Sequence, residues 1–320
     1  MNSVKEKKGK AKKAGKAGPA RQGRAKEAWR LSNGRVRDVM HSVAFLTPSV
    51  TGVAVFFILP FLVVVFYSVI RSPLNPEFVF LDNFINVLNN ASFRTAAKNT
   101  AMFSAMAVPL AVVLSLTLAL MLECRIPCKS LFRTFFLSPM MVPVASVVLI
   151  WQVVFHYRGT LNAVLGAFGV DPIDWINGPY CLLVIVVLFL WKNLGYNMIL
   201  FMAALNNIPK ELLEVADVEG ASPAHKFFNI KLRYLSPTVL FVAILSIINS
   251  FKVFREIYLL TGDYPYDGLY MMQHFMNNTF NKNLDYQKMS SAAVLMALVM
   301  VALIALLFKV EDIFGKDVEG

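Results

Sequence analysis

An all-α membrane protein with six transmembrane helices is the fold class this sequence predicts, on three observations. Mean hydropathy is +0.57 and only 16% of the 320 residues are charged, against about a quarter in soluble domains. Six apolar runs approach or exceed the roughly 20 residues that a helix needs to cross the hydrocarbon core. They fall at 44–70, 99–122, 134–155, 180–205 (interrupted by Lys192), 234–251 and 289–308. With the N-terminus inside, 22 of the 31 Lys and Arg lie in cytoplasmic segments, 8 lie in outside loops and Lys192 lies within a span. Cytoplasmic loops keep basic residues, so both termini are assigned to the cytoplasm.

Residues 1–40 carry 13 basic and 3 acidic side chains, +10 of the net +11. Rich in Lys, Ala and Gly, this tail has little to bury and reads as disordered. Anionic lipid attracts it by about 1 kcal/mol per basic residue near the surface. A nucleic-acid arm is the less favoured reading, and no nucleic acid is expected as a partner. Its length, and the long apolar run from Ala44, argue against a cleaved signal peptide. The transmembrane domain is placed at 41–310, with 311–320 a short cytoplasmic tail.

The first span, 44–70, contains Pro60, and the second, 99–122, contains Pro109. Between them, the outside loop places Phe84 and Val87 at helical spacing, which suits a short interfacial helix. The third span, 134–155, holds Pro139 and Pro143. Proline frees a backbone carbonyl and kinks a helix, which membranes tolerate where neighbours or water satisfy the freed group. The next outside loop has an apolar stripe at Leu161, Val164 and Leu165, bounded by Gly159 and Gly166. Cys124, Cys128 and Cys181 read as reduced thiols, because a C-x3-C pair without a nearby His is a poor metal site. No H-E-x-x-H, G-x-S-x-G or Walker-type loop occurs. The sequence therefore reads as a non-enzyme that binds no cofactor of its own.

Between spans four and five lies the polar stretch ELLEVADVEGASPAHKFFNIKLRYLSP, residues 211–237. Asn207 is suited to cap a first helix, Pro209 to its first turn, and Glu211 and Glu214 to the positive end of its dipole. Leu212, Leu213 and Ala216 make its apolar side. Gly220 suits a left-handed C-terminal cap, and Ser222-Pro223 forms the N-cap and first turn of a second helix that buries Phe227, Ile230 and Leu235. The small residues Gly220 and Ala221 leave the apex open to a partner's surface.

This stretch resembles the signature loop of permease subunits from binding-protein-dependent ABC importers of the carbohydrate type. That loop reads roughly E-A-A-x-x-D-G-A, then F-x-x-I-x-L-P and a further Pro. Here Glu214-Val215-Ala216, Glu219-Gly220-Ala221, Phe227, Ile230, Leu232 and Pro237 stand at matching spacing. Val215 and Glu219 are conservative departures; Arg233 stands where the family usually has proline, which leaves the turn before span five open. Further similarity runs through NTAMFSAMAVPLAVVLSL, FRTFFLSPMMVPVASVVLIWQVVF, WKNLGYNMILFMAALNNIP and FKVFREIYLLTGDYP.

The resemblance implies a multi-pass protein of the bacterial cell membrane that forms half of a translocation pathway. It implies a second permease subunit, expected to be a different chain, two cytoplasmic ATPases that use ATP and Mg, and an extracellular solute-binding protein. The loop 206–237 would couple to the ATPase through Glu214, Ala216, Glu219, Gly220 and Ala221. The region around TGDYP lines the pathway in this family, which makes Asn249, Phe251, Phe254 and Tyr258 candidates for solute contact, together with Lys192 and Asn197 in span four. Lys192 must face the bundle interior, pair with another group or snorkel. The alternative reading, a secondary transporter, needs intramembrane ionisable groups for ion coupling. Lys192 is the one such group the runs contain.

Overall fold

The protein is described by a computed structural model over residues 40–123 and 127–315, so the basic tail and Cys124 lie outside the described residues. Six helices among these are long and apolar enough to cross a membrane: Met40–Ser68, Ala91–Glu123, Val144–Ala167, Cys181–Asn206, Pro223–Thr261 and Tyr286–Asp312. The described part of the chain divides into two units, one ending at Val63 and the other beginning at Val64.

The described part of the first unit is the N-terminal length of α1 (Met40–Ser68), up to Val63. Phe45, Phe56 and Phe57 are largely exposed on it, a surface matched to hydrocarbon or to another apolar chain. Residues Ala54–Ile58 form a π-type turn in which the Leu59 amide donates to the Ala54 carbonyl. Pro60 follows at once. Its ring clashes with the carbonyl four residues back in a regular helix, and the wider turn relieves that clash.

The second unit holds the packed core. Its helices are α2 (Asp82–Asn89), α3 (Ala91–Glu123), α4 (Lys129–Met141), α5 (Val144–Phe155), α6 (Thr160–Ala167) and α7 (Cys181–Asn206). Then come α8 (Lys210–Val218), α9 (Leu232–Phe251), α10 (Phe254–Thr261), α11 (Met272–Asn281) and α12 (Tyr286–Gly315). The α3 and α7 helices pack along one another, and α4 and α9 close around them. Two apolar clusters result: one toward the cytoplasm, around Ala119, Phe201, Leu205, Leu235 and Val242, and one toward the outside, around Phe103, Ile185, Phe189, Ile257 and Leu269.

Where the sequence predicts one third span, the structure has two helices, with Val142 extended between α4 and α5. The cause is Pro143, which removes a backbone donor and pushes the residue before it out of the helical region. Pro139, inside α4, leaves the Phe135 carbonyl without its helical partner, and the Ser138 hydroxyl donates to that carbonyl at 2.9 Å. The α7 helix approaches α4 so closely that a Cβ added at Gly195 would lie 1.8 Å from the Phe136 carbonyl oxygen. A glycine is required there because backbone meets backbone.

The outside ends are pinned by amides. Asn90 accepts from the Phe93 amide at 3.1 Å and so caps α3, which starts well before the apolar run that announces it. Asn99 donates to the carbonyls of Asp267 and Tyr270. The α2 helix forms as expected and buries Val87 beside Phe93 and Phe275, whose rings meet edge to face at 5.5 Å. The α6 helix runs through Gly166 rather than stopping at it. Leu161 and Leu165 are half-buried but Val164 is exposed. What holds this loop is a residue the apolar stripe does not show. Asn162 donates to the Tyr157 and Ile173 carbonyls while its oxygen accepts from the Ile173 amide and the Trp175 indole.

Gly195→Ala drives a methyl into the α4 backbone and should cost about 1–3 kcal/mol or more as overpacking, lowering the thermal midpoint and yield of the purified protein. Gly166→Ala meets nothing within 4 Å of its new Cβ and should leave both unchanged. Equal behaviour of the two variants on size-exclusion chromatography and thermal unfolding would contradict the close approach.

Candidate functional site: a cytoplasmic loop and a mid-span polar layer

The loop after α7 is a helix-turn-helix. Asn207 is not its N-cap: it closes α7, its amide donating to the Ala204 carbonyl, and extended Pro209 occupies the cap position of α8. At the other end of α8, Gly220 has φ +77°. The Ala221 amide donates to the Ala216 carbonyl at 2.9 Å and the Gly220 amide to the Asp217 carbonyl at 3.1 Å. These two bonds are a Schellman motif, which satisfies carbonyls that the helix end would otherwise leave open. Ser222 then accepts from the His225 amide and Pro223 takes the first helical position, the cap and first-turn chemistry that starts the next helix.

From Pro223 the helix runs unbroken into α9, through a π-type turn at Phe227–Lys231 and past Arg233. The turn left open by the missing proline is thus a continuous helix. Lys226 pairs with Asp217 on α8, and Lys231 pairs with Glu123 at the inner end of α3 at 2.7 Å. Such partly exposed pairs contribute little stability, but they hold the loop's orientation at two points.

Of the coupling residues expected from sequence, Glu214, Glu219 and Gly220 are exposed, Ala216 is buried and Ala221 is half-buried. Leu213 is half-buried against the inner apolar cluster, while Leu212 turns outward, exposed. Val215 and Val218 are also outward and apolar, Val218 at 89% exposure. In a sequence 57% hydrophobic, two more valines carry no signal that they stand exposed.

Between the two apolar clusters lies a layer of polar side chains. Lys192, near the middle of α7, pairs with Glu256 on α10. The Asn249 amide donates to the Asn193 side-chain oxygen at 3.0 Å, and Asn197 donates to the Ser246 hydroxyl at 3.2 Å. Ser104 of α3 and Ser250 of α9 share a hydrogen bond of 2.8 Å. These pairs join α7 and α3 to the fifth span at one level. Phe254 stacks obliquely on Tyr258 at 5.3 Å and edge-on to His274 at 4.6 Å. Phe251 is half-buried. The structure therefore brings Lys192, Asn197 and Asn249 into the layer, with Phe254 and Tyr258 beside it.

Glu256, which answers how Lys192 is accommodated, was not read from sequence. The apolar run of span five ends at Phe251, but after a short turn at Lys252–Val253 the span resumes as α10 and presents Glu256 inward. Lys192 is therefore not the one ionisable group of the spans. Glu256 Oε2 is buried without a hydrogen-bond partner, so its carboxylate rests on the lysine. Outside the spans, burial pushes the fully enclosed His274 down to about 4, against the opposing charge of Asp263. The Lys282 ammonium, 3.0 Å from Asp263, holds that carboxyl below its ordinary value.

Comparison with known proteins matches residues 111–319 to the family described as binding-protein-dependent transport system inner membrane component. The chain is 30% identical over 237 residues, 70% of its length and 74% of the relative's, to the arabinooligosaccharides transport system permease protein AraP of Bacillus subtilis. It is 28% identical over 271 residues, 82% of its length and 92% of the relative's, to the sn-glycerol-3-phosphate transport system permease protein UgpA of Agrobacterium fabrum. A solved structure of a bacterial alginate ABC transporter, in complex with its alginate pentasaccharide-bound periplasmic protein, contains a chain with the same fold. The TM-score is 0.76 at 19% identity, over 90% of this chain and 99% of that one.

Replacing Glu256 by Gln strands the Lys192 ammonium in the core, which should cost about 3–5 kcal/mol. The double variant Lys192→Met/Glu256→Leu should recover most of the lost thermal stability, whereas additive losses in this cycle would mean the two groups do not interact. His274 stays neutral in the fold, so its contribution is complete above its unfolded value of about 6.5 and is lost as pH falls from there toward 4. On thermal unfolding at about pH 7.5 and pH 5, wild type should lose more midpoint than His274→Gln does; equal losses would remove His274 from the acid response.

Proposed function

This chain belongs to the binding-protein-dependent transport system inner membrane components, the permease subunits of ABC importers, and from that premise we propose that it carries a neutral sugar or oligosaccharide across the mid-span polar layer. The chain is a multi-pass inner-membrane protein and a transport subunit, and such a system works with a solute-binding protein and an ATPase. The observation that carries the sugar reading is the composition of the layer: Asn193, Asn197, Asn249, Ser104, Ser246 and Ser250 offer amides and hydroxyls. Its cation is already neutralised by Glu256. Amide and hydroxyl groups exchange hydrogen bonds with sugar hydroxyls, and the rings of Phe251, Phe254 and Tyr258 suit the C–H faces of a pyranose. A phosphorylated polyol, the solute named for the Agrobacterium relative, would bring a dianion to a cation that is already paired. That argues for the uncharged class named for the Bacillus relative.

In this reading the loop 206–237 docks the ATPase. Exposed Glu214 and Glu219 supply charge, Val215 and Val218 supply apolar contact, and Gly220 lets the partner approach the apex. ATP and Mg are used by the ATPase and no cofactor by this chain. A second, different permease chain supplies the other half of the pathway. The ties from Lys226 to Asp217 and from Lys231 to Glu123 support a loop that moves together with α3 and α9.

Uptake of labelled mono- and oligosaccharides, and of glycerol phosphate, into proteoliposomes holding the whole complex and its binding protein tests the solute class. Asn249→Ala, Phe251→Ala and Phe254→Ala should lower uptake about tenfold at unchanged assembly, the loss expected from one or two hydrogen bonds or ring contacts. Unchanged rate and affinity in all three would remove the layer from the pathway. Transport of the phosphorylated polyol alone would overturn the sugar.

Gly220→Trp should strain the left-handed cap and block docking while the spans still insert, so that the ATPase no longer co-purifies. Glu214→Ala should weaken docking by about 1.5–3 kcal/mol if an ionised partner faces it. Full ATPase recovery and normal uptake with Gly220→Trp would rule out coupling through this apex.

A further inference from the structure

Between the inner ends of α9 and α12 lies a cavity of about 490 Å³, separate from the polar layer and from the apex at Gly220, whose mouth is lined by the last residues of the loop 206–237. Its polar residues, Asn229, Arg233, Ser236 and Glu311, all lie toward the cytoplasmic end, and its deeper wall is Val239, Leu240, Ala243 and Leu307. From Arg233 to Ala243 is ten residues of continuous helix, about 15 Å at 1.5 Å per residue. That is half of the roughly 30 Å hydrocarbon core. The cavity thus extends from the cytoplasmic membrane surface to about the midplane, the depth of one leaflet.

We propose that this cavity binds one phospholipid of the cytoplasmic leaflet, an acyl chain along Val239, Leu240 and Ala243 and a zwitterionic headgroup with a primary ammonium at Arg233 and Glu311. Three features select this occupant. The lining changes from charged to apolar in the same direction and over the same distance as a lipid does. A guanidinium binds phosphate oxygens through paired N–H donors, and more firmly than a lysine would. The carboxylate in the same mouth suits an ammonium and disfavours a headgroup that is only anionic, so ethanolamine is favoured over glycerol as the phosphate's substituent. Arg233 is also the residue that departs from the proline of related loops. The proline would supply no cation here, so the site is a feature of this chain.

The test uses the assembled complex, purified in mild detergent from vesicles of equal phosphatidylethanolamine and phosphatidylglycerol. Native mass spectrometry reads the retained lipid, and a phosphatidylethanolamine with a photoreactive acyl chain reads the position. Wild type should retain phosphatidylethanolamine in preference to phosphatidylglycerol, with adducts on Val239, Leu240 or Ala243. Arg233→Gln should lower retention about tenfold, the effect of losing a charge-assisted phosphate contact. Ala243→Phe, which fills the deep end without changing charge, should abolish those adducts while the complex still assembles. Equal or better retention of phosphatidylglycerol would overturn the headgroup assignment. A cross-link from Leu240→Cys to the partner permease, with no lipid adduct, would overturn the site and make the cavity a contact between subunits.

Discussion

Removing an ammonium from water costs more than any one contact inside this bundle returns, and Lys192 sits near the middle of a membrane span. That constraint organises the unit from Val64 onward. The lysine needs a carboxylate, and Glu256 supplies it only because the fifth span breaks after Phe251 and resumes as α10. The break brings Phe254 against His274 and lets the loop beyond fold back onto α3, where Asn99 and Thr100 bind its backbone. Around the ion pair the remaining polar groups pair in turn, Asn193 with Asn249 and Asn197 with Ser246, as buried polar groups must. The two apolar clusters are what the layer leaves on either side.

The helix packing divides the molecule into parts that are tightly joined and parts that are joined by polar contacts. At Gly195 the backbones of α4 and α7 touch, and no side chain intervenes to slide or rotate. Within the polar layer, by contrast, α7 meets the fifth span through amides, hydroxyls and a single ion pair, with apolar side chains in contact on either side. Hydrogen bonds of this kind exchange for others at little net free energy. A conformational change driven from the cytoplasmic loop would therefore keep α4 with α7 and rearrange the polar seam.

Much of this was legible in the sequence. Hydropathy placed an apolar run in each of the six spans, because a bilayer demands about 20 apolar residues in a row, but its third run, 134–155, takes in part of α4 and only the first half of Val144–Ala167. The apex of the loop between spans four and five was legible, because Gly220, Ser222 and Pro223 each have a local backbone reason for their place. What stayed hidden depends on partners distant in the chain. Hydropathy does not register a break at Val142, since the residues around Pro143 are as apolar as a helix interior. Nothing local marks Gly195 as the contact with Phe136, or Asn162 as the pin of an outer loop. Glu256 lies beyond the end of its apolar run, 64 residues from the lysine it neutralises. Asn207 was assigned to the wrong helix end because the Pro209 two residues on supports either reading.

That separation of 64 residues also has a meaning in time. A chain made at about 5–20 residues per second delivers Glu256 some 3–13 s after Lys192 has left the ribosome. During that interval the fourth span has entered the membrane, or waits at its edge, with a cation and no counter-ion. A lone charge at the centre of a helix costs about 2.5–3.5 kcal/mol on entering lipid, a cost that span four carries by itself until Glu256 arrives. The ion pair thus bears on the assembly of the bundle as well as on its final packing.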